Sequence, residues 1–142
     1  MACLKRKLTV SRKEKAVQKK SEGYNCAQAV ACNYCDFVEI DEETMFRLTE
    51  GLGIGMGNME GTCGALTGAC IVAGLLNSTA NLKKPDSKAA TSLLARTMMD
   101  KFKSRNTTVT CKTLKGKETG KVLRSCQDCI RDACEFLEEI LG

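Results

Sequence analysis

Histidine and tryptophan are absent from this 142-residue chain, and proline occurs once, at Pro85. Without histidine there can be no Ser-His-Asp or Cys-His nucleophile pair, no HExxH zinc site and no CxxCH haem attachment. Aromatic residues make up only 4%, so the core must be assembled from Ala, Leu, Val, Ile, Met and Cys. That composition, with so little proline, suits closely packed helices better than a turn-rich sandwich. An apolar leader is missing too: Met1, Ala2, Cys3 and Leu4 run straight into Lys5, Arg6 and Lys7. No signal peptide is therefore expected, and a cytoplasmic location is.

Charge is unevenly placed. Residues 1–20 hold eight of the 22 basic residues against one acid, Glu14, whereas the remainder is slightly acidic. The chain thus divides into a basic, partly helical leader over 1–20 and a single cysteine-rich domain over 21–142. A solvated helix explains the leader, with attraction to an anionic membrane face or a nucleic acid as the alternative. No aromatics interleave with those lysines, so nucleic-acid binding is not expected. Between Gly61 and Leu82 no charged residue occurs. The apolar part stops at Leu76, and Asn77, Ser78, Thr79 and Asn81 follow, so a buried helix is expected rather than a membrane span.

Several helices can be placed from caps and periodicity. Ser21 or Asn25 caps a helix reaching about Val38, and Asp41 caps a second with Glu42 and Glu43 in its first turn. A third opens near Thr62 after a glycine run at Gly51, Gly53, Gly55 and Gly57. That run lacks GxGxxG and a following GK[ST], so it reads as a close-packed turn and not a nucleotide loop. Asp86 or Ser87 caps a helix whose Ala90, Leu94, Met98 and Phe102 form an i, i+4 stripe, read as core. Ser125 caps the last. The expected fold is an all-α single-domain bundle of about five to six helices, with one irregular cysteine-bearing loop near residues 106–124.

What the chain has in excess is cysteine: Cys3, Cys26, Cys32, Cys35, Cys63, Cys70, Cys111, Cys126, Cys129 and Cys134. In a reducing compartment so many thiols favour metal binding or thiol redox chemistry over structural disulfides. Cys26, Cys63 and Cys126 each fall in the first turn of an expected helix, where positive partial charge favours a thiolate. Cys111 lies in the irregular loop. Convergence of the helix starts would place four sulfurs in one electropositive pocket. Cys63, at the junction of the glycine run and an uncharged helix, is the expected reactive sulfur. Gly64 and Gly68, four apart on one face, would let another helix backbone approach. Cys70 and Cys134 sit mid-helix among apolar residues and read as structural. Cys32-Asn33-Tyr34-Cys35, late in a helix, reads the same way.

The segment Gly57 to Ala69 (GNMEGTCGALTGA), with Asn25 to Val30 (NCAQAV) and the ending Arg131-Asp132-Ala133 and Glu138-Glu139-Ile140-Leu141, carries a resemblance. Over roughly residues 16–141 the chain resembles a family of redox-active proteins named for a C…CGAxxG…C…C pattern. By position the family's four cysteines fall on Cys26, Cys63, Cys111 and Cys126. The resemblance implies redox chemistry, and a gene context beside transporters, without fixing a substrate or cofactor. Cys129 departs from the pattern and creates Cys126-Gln127-Asp128-Cys129, so Cys126 could pair with that neighbour or with a distant cysteine. A thiol–disulfide oxidoreductase acting on a redox partner or a small thiol is one expectation. A metal module is the alternative, with Cys26, Cys63, Cys111 and Cys126 holding an iron–sulfur cluster or zinc. A helical interaction protein with structural cysteines is the third reading, and a homodimer stays open.

Overall fold

A computed structural model describes residues 11–141, and every described element is helical. Cys3 lies outside the described residues. Helix α1 (Lys13–Ser21) is followed by α2 (Cys26–Ala31), a 3-10 turn, α3 (Cys35–Val38) and α4 (Glu42–Thr49). Then come α5 (Gly53–Met56), α6 (Gly64–Asn77), α7 (Lys88–Asn106), α8 (Cys111–Lys115) and α9 (Cys126–Leu141). No strand is present among them, only an isolated antiparallel bridge between Thr62 and Thr110.

Local chemistry explains most of the starts. The Asn25 side chain accepts from the Gln28 N–H, and the Asn25 N–H donates to Gln28 Oε1 in return, a reciprocal cap for α2. Asp41 accepts from the Thr44 N–H at 2.9 Å, and Ser125 Oγ from the Asp128 N–H at 3.1 Å. The expected helix from Asn25 to Val38 is not continuous. It tightens into the 3-10 turn at Cys32–Tyr34 and closes on Glu39 in the left-handed region at φ 55°.

Two expectations need correction. The stretch 106–124 is not wholly irregular: α8 lies inside it, too short for hydrophobic periodicity to betray. The stripe on α7 is core only in its second half. Met98 and Phe102 are buried, Leu94 is half-buried and Ala90 is exposed; in its first turns α7 meets α6 through Thr91, off the stripe, which accepts from Asn77 Nδ2 at 3.0 Å.

The core is built around α6 and α9. Ala65, Leu66, Ala69 and Val72 of α6 pack with Ala29, Val30, Phe37, Met45, Ile130, Ala133 and Leu137. Sulfur joins it through Cys63, Cys129 and Cys134. Helix α1 closes this core from the N-terminal side through its buried Ala16. Its start is tied down by Arg12, whose guanidinium pairs with Asp36 and whose N–H donates to Glu138. Closest of all is the crossing of α2 over α6. A Cβ on Gly68 would lie 2.5 Å from the Ala27 carbonyl oxygen, and one on Gly64 3.1 Å from the Leu52 oxygen. The two glycines remove the side chains that would hold these backbones apart. Among the described residues no helix is long and apolar enough to cross a membrane.

Candidate functional site

That crossing brings the first turns of α2 and α6 together. Cys26 Cβ sits 3.4 Å from where Gly64 would carry a Cβ, directly beside Cys63. A second junction adds α8. The Cys63 N–H donates to the Val109 oxygen at 2.7 Å, and the Cys111 N–H to the Gly61 oxygen at 3.0 Å. The Lys112 N–H donates to the Met59 oxygen at 2.9 Å, so the tail of the glycine run and the approach to α8 are laced together. Gly55, at φ 55°, leaves room for Cys111, whose Cβ a side chain at that position would strike.

The start of α9 completes the arrangement. It is held by Asp132, only 2% exposed. Asp132 accepts from Arg124 at 2.9 and 3.0 Å, Arg105 at 2.9 Å and Asn106 at 3.0 Å. Burial alone would raise this carboxyl, yet Arg124, Asn106 and Arg105 together hold it below its ordinary value. The incoming loop is thereby pinned to the second turn of α9, at Asp132, in the same helix that Cys126 opens.

The result is a cavity of about 130 Å³ lined by Cys26, Cys63, Cys111 and Cys126, with Lys20 and Lys115 and an apolar rim of Ile54 and Met59. It has room for roughly four waters. Cys26 and Cys126 are half-buried, whereas Cys63, Cys111 and Cys129 are buried. All nine described cysteines are thiols rather than disulfides.

The sulfurs associate two by two. Cys26 donates its S–H to Cys126, and this bond is the largest of the influences holding Cys126 down at about 5 against the opposing effect of burial. Lys115 adds a hydrogen bond and its charge, and Lys20 adds charge. Cys129 donates in the same way to Cys63, which is held at about 7 despite its burial. The N–H groups of Ala65 and Leu66 in the first turn of α6 and the charge of Lys115 act in the same direction. The donors move oppositely: Cys26 and Cys129 are pushed up, first by the hydrogen bond each gives and then by burial. Cys111 is also raised, chiefly by burial. A helix-start position therefore does not by itself make a thiolate here. Only two of the four expected sulfurs are depressed: Cys26 is raised by the hydrogen bond it gives Cys126, and Cys111 by burial.

Lys115 is the residue that sequence reasoning missed. It stands one turn after Cys111 on α8, with Nζ 3.8 Å from Cys129 Sγ, 3.4 Å from the Arg124 oxygen and in hydrogen-bond contact with Cys126. Its spacing of four from Cys111 was visible, but the helix that makes the spacing meaningful was not.

The neighbouring cysteines differ. Cys126 and Cys129 do not bond to each other, so that CxxC is divided between two partners. In the other, burial is the leading cause raising Cys32, to about 12, and Cys35. Cys134 is raised by burial to about 12 and Cys70 is raised likewise. As to the iron–sulfur and zinc expectation, no group of three or more Cys, Asp or Glu side chains among the described residues is arranged to hold a metal ion.

A family profile described as "Putative redox-active protein (C_GCAxxG_C_C)" matches residues 24–140. That label spells its central motif GCAxxG, while the chain reads Cys63-Gly64-Ala65-Leu66-Thr67-Gly68, with the first two letters in the other order. No curated protein and no solved structure matches the chain.

Proposed function

Since the chain belongs to the C_GCAxxG_C_C family, we propose that it performs thiol–disulfide exchange, with Cys126 as the attacking sulfur and Cys26 as the resolving one. The observation that carries this reading is the Cys26–Cys126–Lys115 contact at the mouth of the cavity. It couples a stabilised thiolate to a protonated partner within hydrogen-bond reach. Cys63, the sulfur singled out by the sequence, is 2% exposed and stands behind this pair.

The Cys126 thiolate attacks a small disulfide RSSR, forming Cys126–S–S–R and releasing RS⁻. The Cys26 thiol gives its proton to that thiolate, and its sulfur then attacks Cys126 Sγ. A Cys26–Cys126 disulfide forms and the second RS⁻ leaves. Two protein thiols are oxidised and one disulfide is reduced. A low pKa also makes Cys126 a good leaving group in the reverse direction, so the pair can donate or accept. The modest cavity suits a small thiol or the tip of an extended chain.

The test uses the reduced full chain and oxidised glutathione under anaerobic conditions. Cys126→Ser is expected to abolish the fast exchange, and Cys26→Ser to stop at a mixed disulfide on Cys126 detectable by intact mass. Cys70→Ser and Cys134→Ser are expected to leave the rate within about two-fold, as surface or packing changes outside the site do. Exchange that persists at the wild-type rate in Cys126→Ser would refute the assignment. Iron or zinc in stoichiometric amount by elemental analysis would replace it with the metal reading.

A further inference from the structure

Two sulfurs remain that the outer exchange does not use. Cys63 and Cys129 lie behind Cys26 and Cys126, 2% and 0% exposed. They are bonded to each other as the outer two are. Cys129 does not line the cavity, and Cys63 meets it with only 2% of its surface, less than the half-buried Cys26 and Cys126. The outer pair can reach them, because the two pairs share three structural links. Cys126 and Cys129 are three apart on α9, on one helix face, a spacing that sets Cβ atoms about 5–6 Å apart. Lys115 Nζ touches both of these sulfurs. Cys26 lies against the residue that follows Cys63, across the glycine crossing.

We infer that Cys63 and Cys129 form a second, buried dithiol site that is oxidised by the Cys26–Cys126 disulfide, so that one chain stores two disulfides in series. The inference rests on the exchange proposed above for the outer pair. Beginning with the outer disulfide, the Cys63 thiolate attacks Cys26 Sγ. A Cys63–Cys26 bond forms and Cys126 leaves as a thiolate into its contact with Lys115. Attack at Cys26 is the productive direction, because it expels the better leaving group. Cys129 then attacks Cys63 Sγ, forming Cys63–Cys129 and releasing Cys26, which takes the proton Cys129 has lost. One disulfide has moved inward, no electron has left the chain, and the outer pair has returned to its resting protonation. A second substrate disulfide can then reoxidise it.

The inner pair differs from the outer in what its oxidation demands. Oxidised glutathione in excess is added to the anaerobically reduced full chain, the thiols are trapped with acid and N-ethylmaleimide, and bridges are mapped by mass spectrometry. The wild-type chain is expected to lose four thiols and to show Cys26–Cys126 and Cys63–Cys129. Cys63→Ser is expected to lose half as many thiols. In Cys126→Ser, Cys63 and Cys129 are expected to remain alkylatable on unfolding. Wild-type chain that forms Cys26–Cys126 and keeps Cys63 and Cys129 as thiols would overturn the relay while leaving the outer exchange standing. A Cys63–Cys129 bridge that forms in Cys126→Ser as fast as in wild type would also overturn it. Absence of Cys26–Cys126 from wild type would defeat both.

Discussion

The chain contains two Cys-x-x-Cys segments, and the fold treats them in opposite ways. Cys32 and Cys35 occupy the 3-10 turn and the start of α3, with Glu42 near both sulfurs, and both thiols are raised. Cys126 and Cys129 open a helix of 16 residues beside a half-buried lysine, and each is bonded to a cysteine on a different helix. Equal spacing thus yields one pair with both thiols raised and one divided between two contacts, each joining a depressed sulfur to a raised one. What separates them is the availability of a cysteine partner from another element, backed by Lys115, where burial is the leading influence on Cys32 and Cys35. Sequence distance between the sulfurs does not decide it.

The Cys126 side of this contrast depends most heavily on Asp132. Without its carboxylate, Arg124 and Arg105 lose their shared buried partner, and the loop leading into Cys126 loses its anchor. Asp132→Ala is expected to cost about 3 kcal/mol by urea denaturation, the lower end for one partner of a buried pair, since both arginines can turn partly to solvent. The Cys32–Cys35 region, on the far side of α2, should keep its slow alkylation. Because Asp132 is depressed in the folded state, its stabilisation is present above the ordinary carboxyl range. It is lost as pH falls through the folded value.

A direct contest between the two segments is sharpest under mild acid. At pH 5.5 a thiol held at about 5 is roughly three-quarters ionised, against about one in a thousand for an ordinary thiol. The lower intrinsic nucleophilicity of so acidic a sulfur costs roughly 40-fold. A net advantage of about 20-fold remains in iodoacetamide labelling of Cys126 over an unperturbed thiol. Cys32 should lag behind both. Equal labelling of Cys126 and Cys32 at pH 5.5 would erase the distinction. The same depression contributes stability that is complete above the unfolded thiol value and disappears as pH drops toward 5, so the thermal midpoint should rise between pH 5 and 8.5.

The smallest expected effect comes from the glycine crossing. Gly68→Ala places a Cβ against the backbone of Ala27 and must push α2 away from α6, at about 1–3 kcal/mol by denaturant titration. Cys26 would retreat from Cys126 with it. The low-pH labelling advantage should shrink even where the protein still folds, whereas a change confined to stability would mean that the crossing does not position the sulfurs.

Much of the frame was legible because its signals are local. Asn25, Asp41 and Ser125 cap helices with their own side chains, and an uncharged run from Gly61 announces burial. Gly64 and Gly68 announced a close approach, though not which helix would make it. The destination of each sulfur was hidden for a different reason. Cys126 and Cys129 point to α2 and α6 only because those helices cross where they do, and a crossing is a property of the whole bundle. Cys63 reads as the reactive sulfur from its own neighbours, and nothing near it in sequence says that its N–H will be tied to Val109, in the approach to α8. Lys115 was hidden by brevity: five residues of helix in a polar stretch leave no periodic trace. The first half of α7 misled in the opposite sense, since its stripe continues while the helix meets α6 there through Thr91, off the stripe.

The label by which the family is known mixes two kinds of letter. In this chain the final glycine of the motif records that one main chain rests on another, as the Ala27 contact shows, and in the exchange proposed above only the cysteine takes part. Half of that signature is therefore masonry. A chain could carry it intact and lack the exchange proposed here, provided the partner cysteines were lost, and a search for relatives that share that chemistry would do better to ask for those cysteines and the lysine beside them than for the glycines beneath.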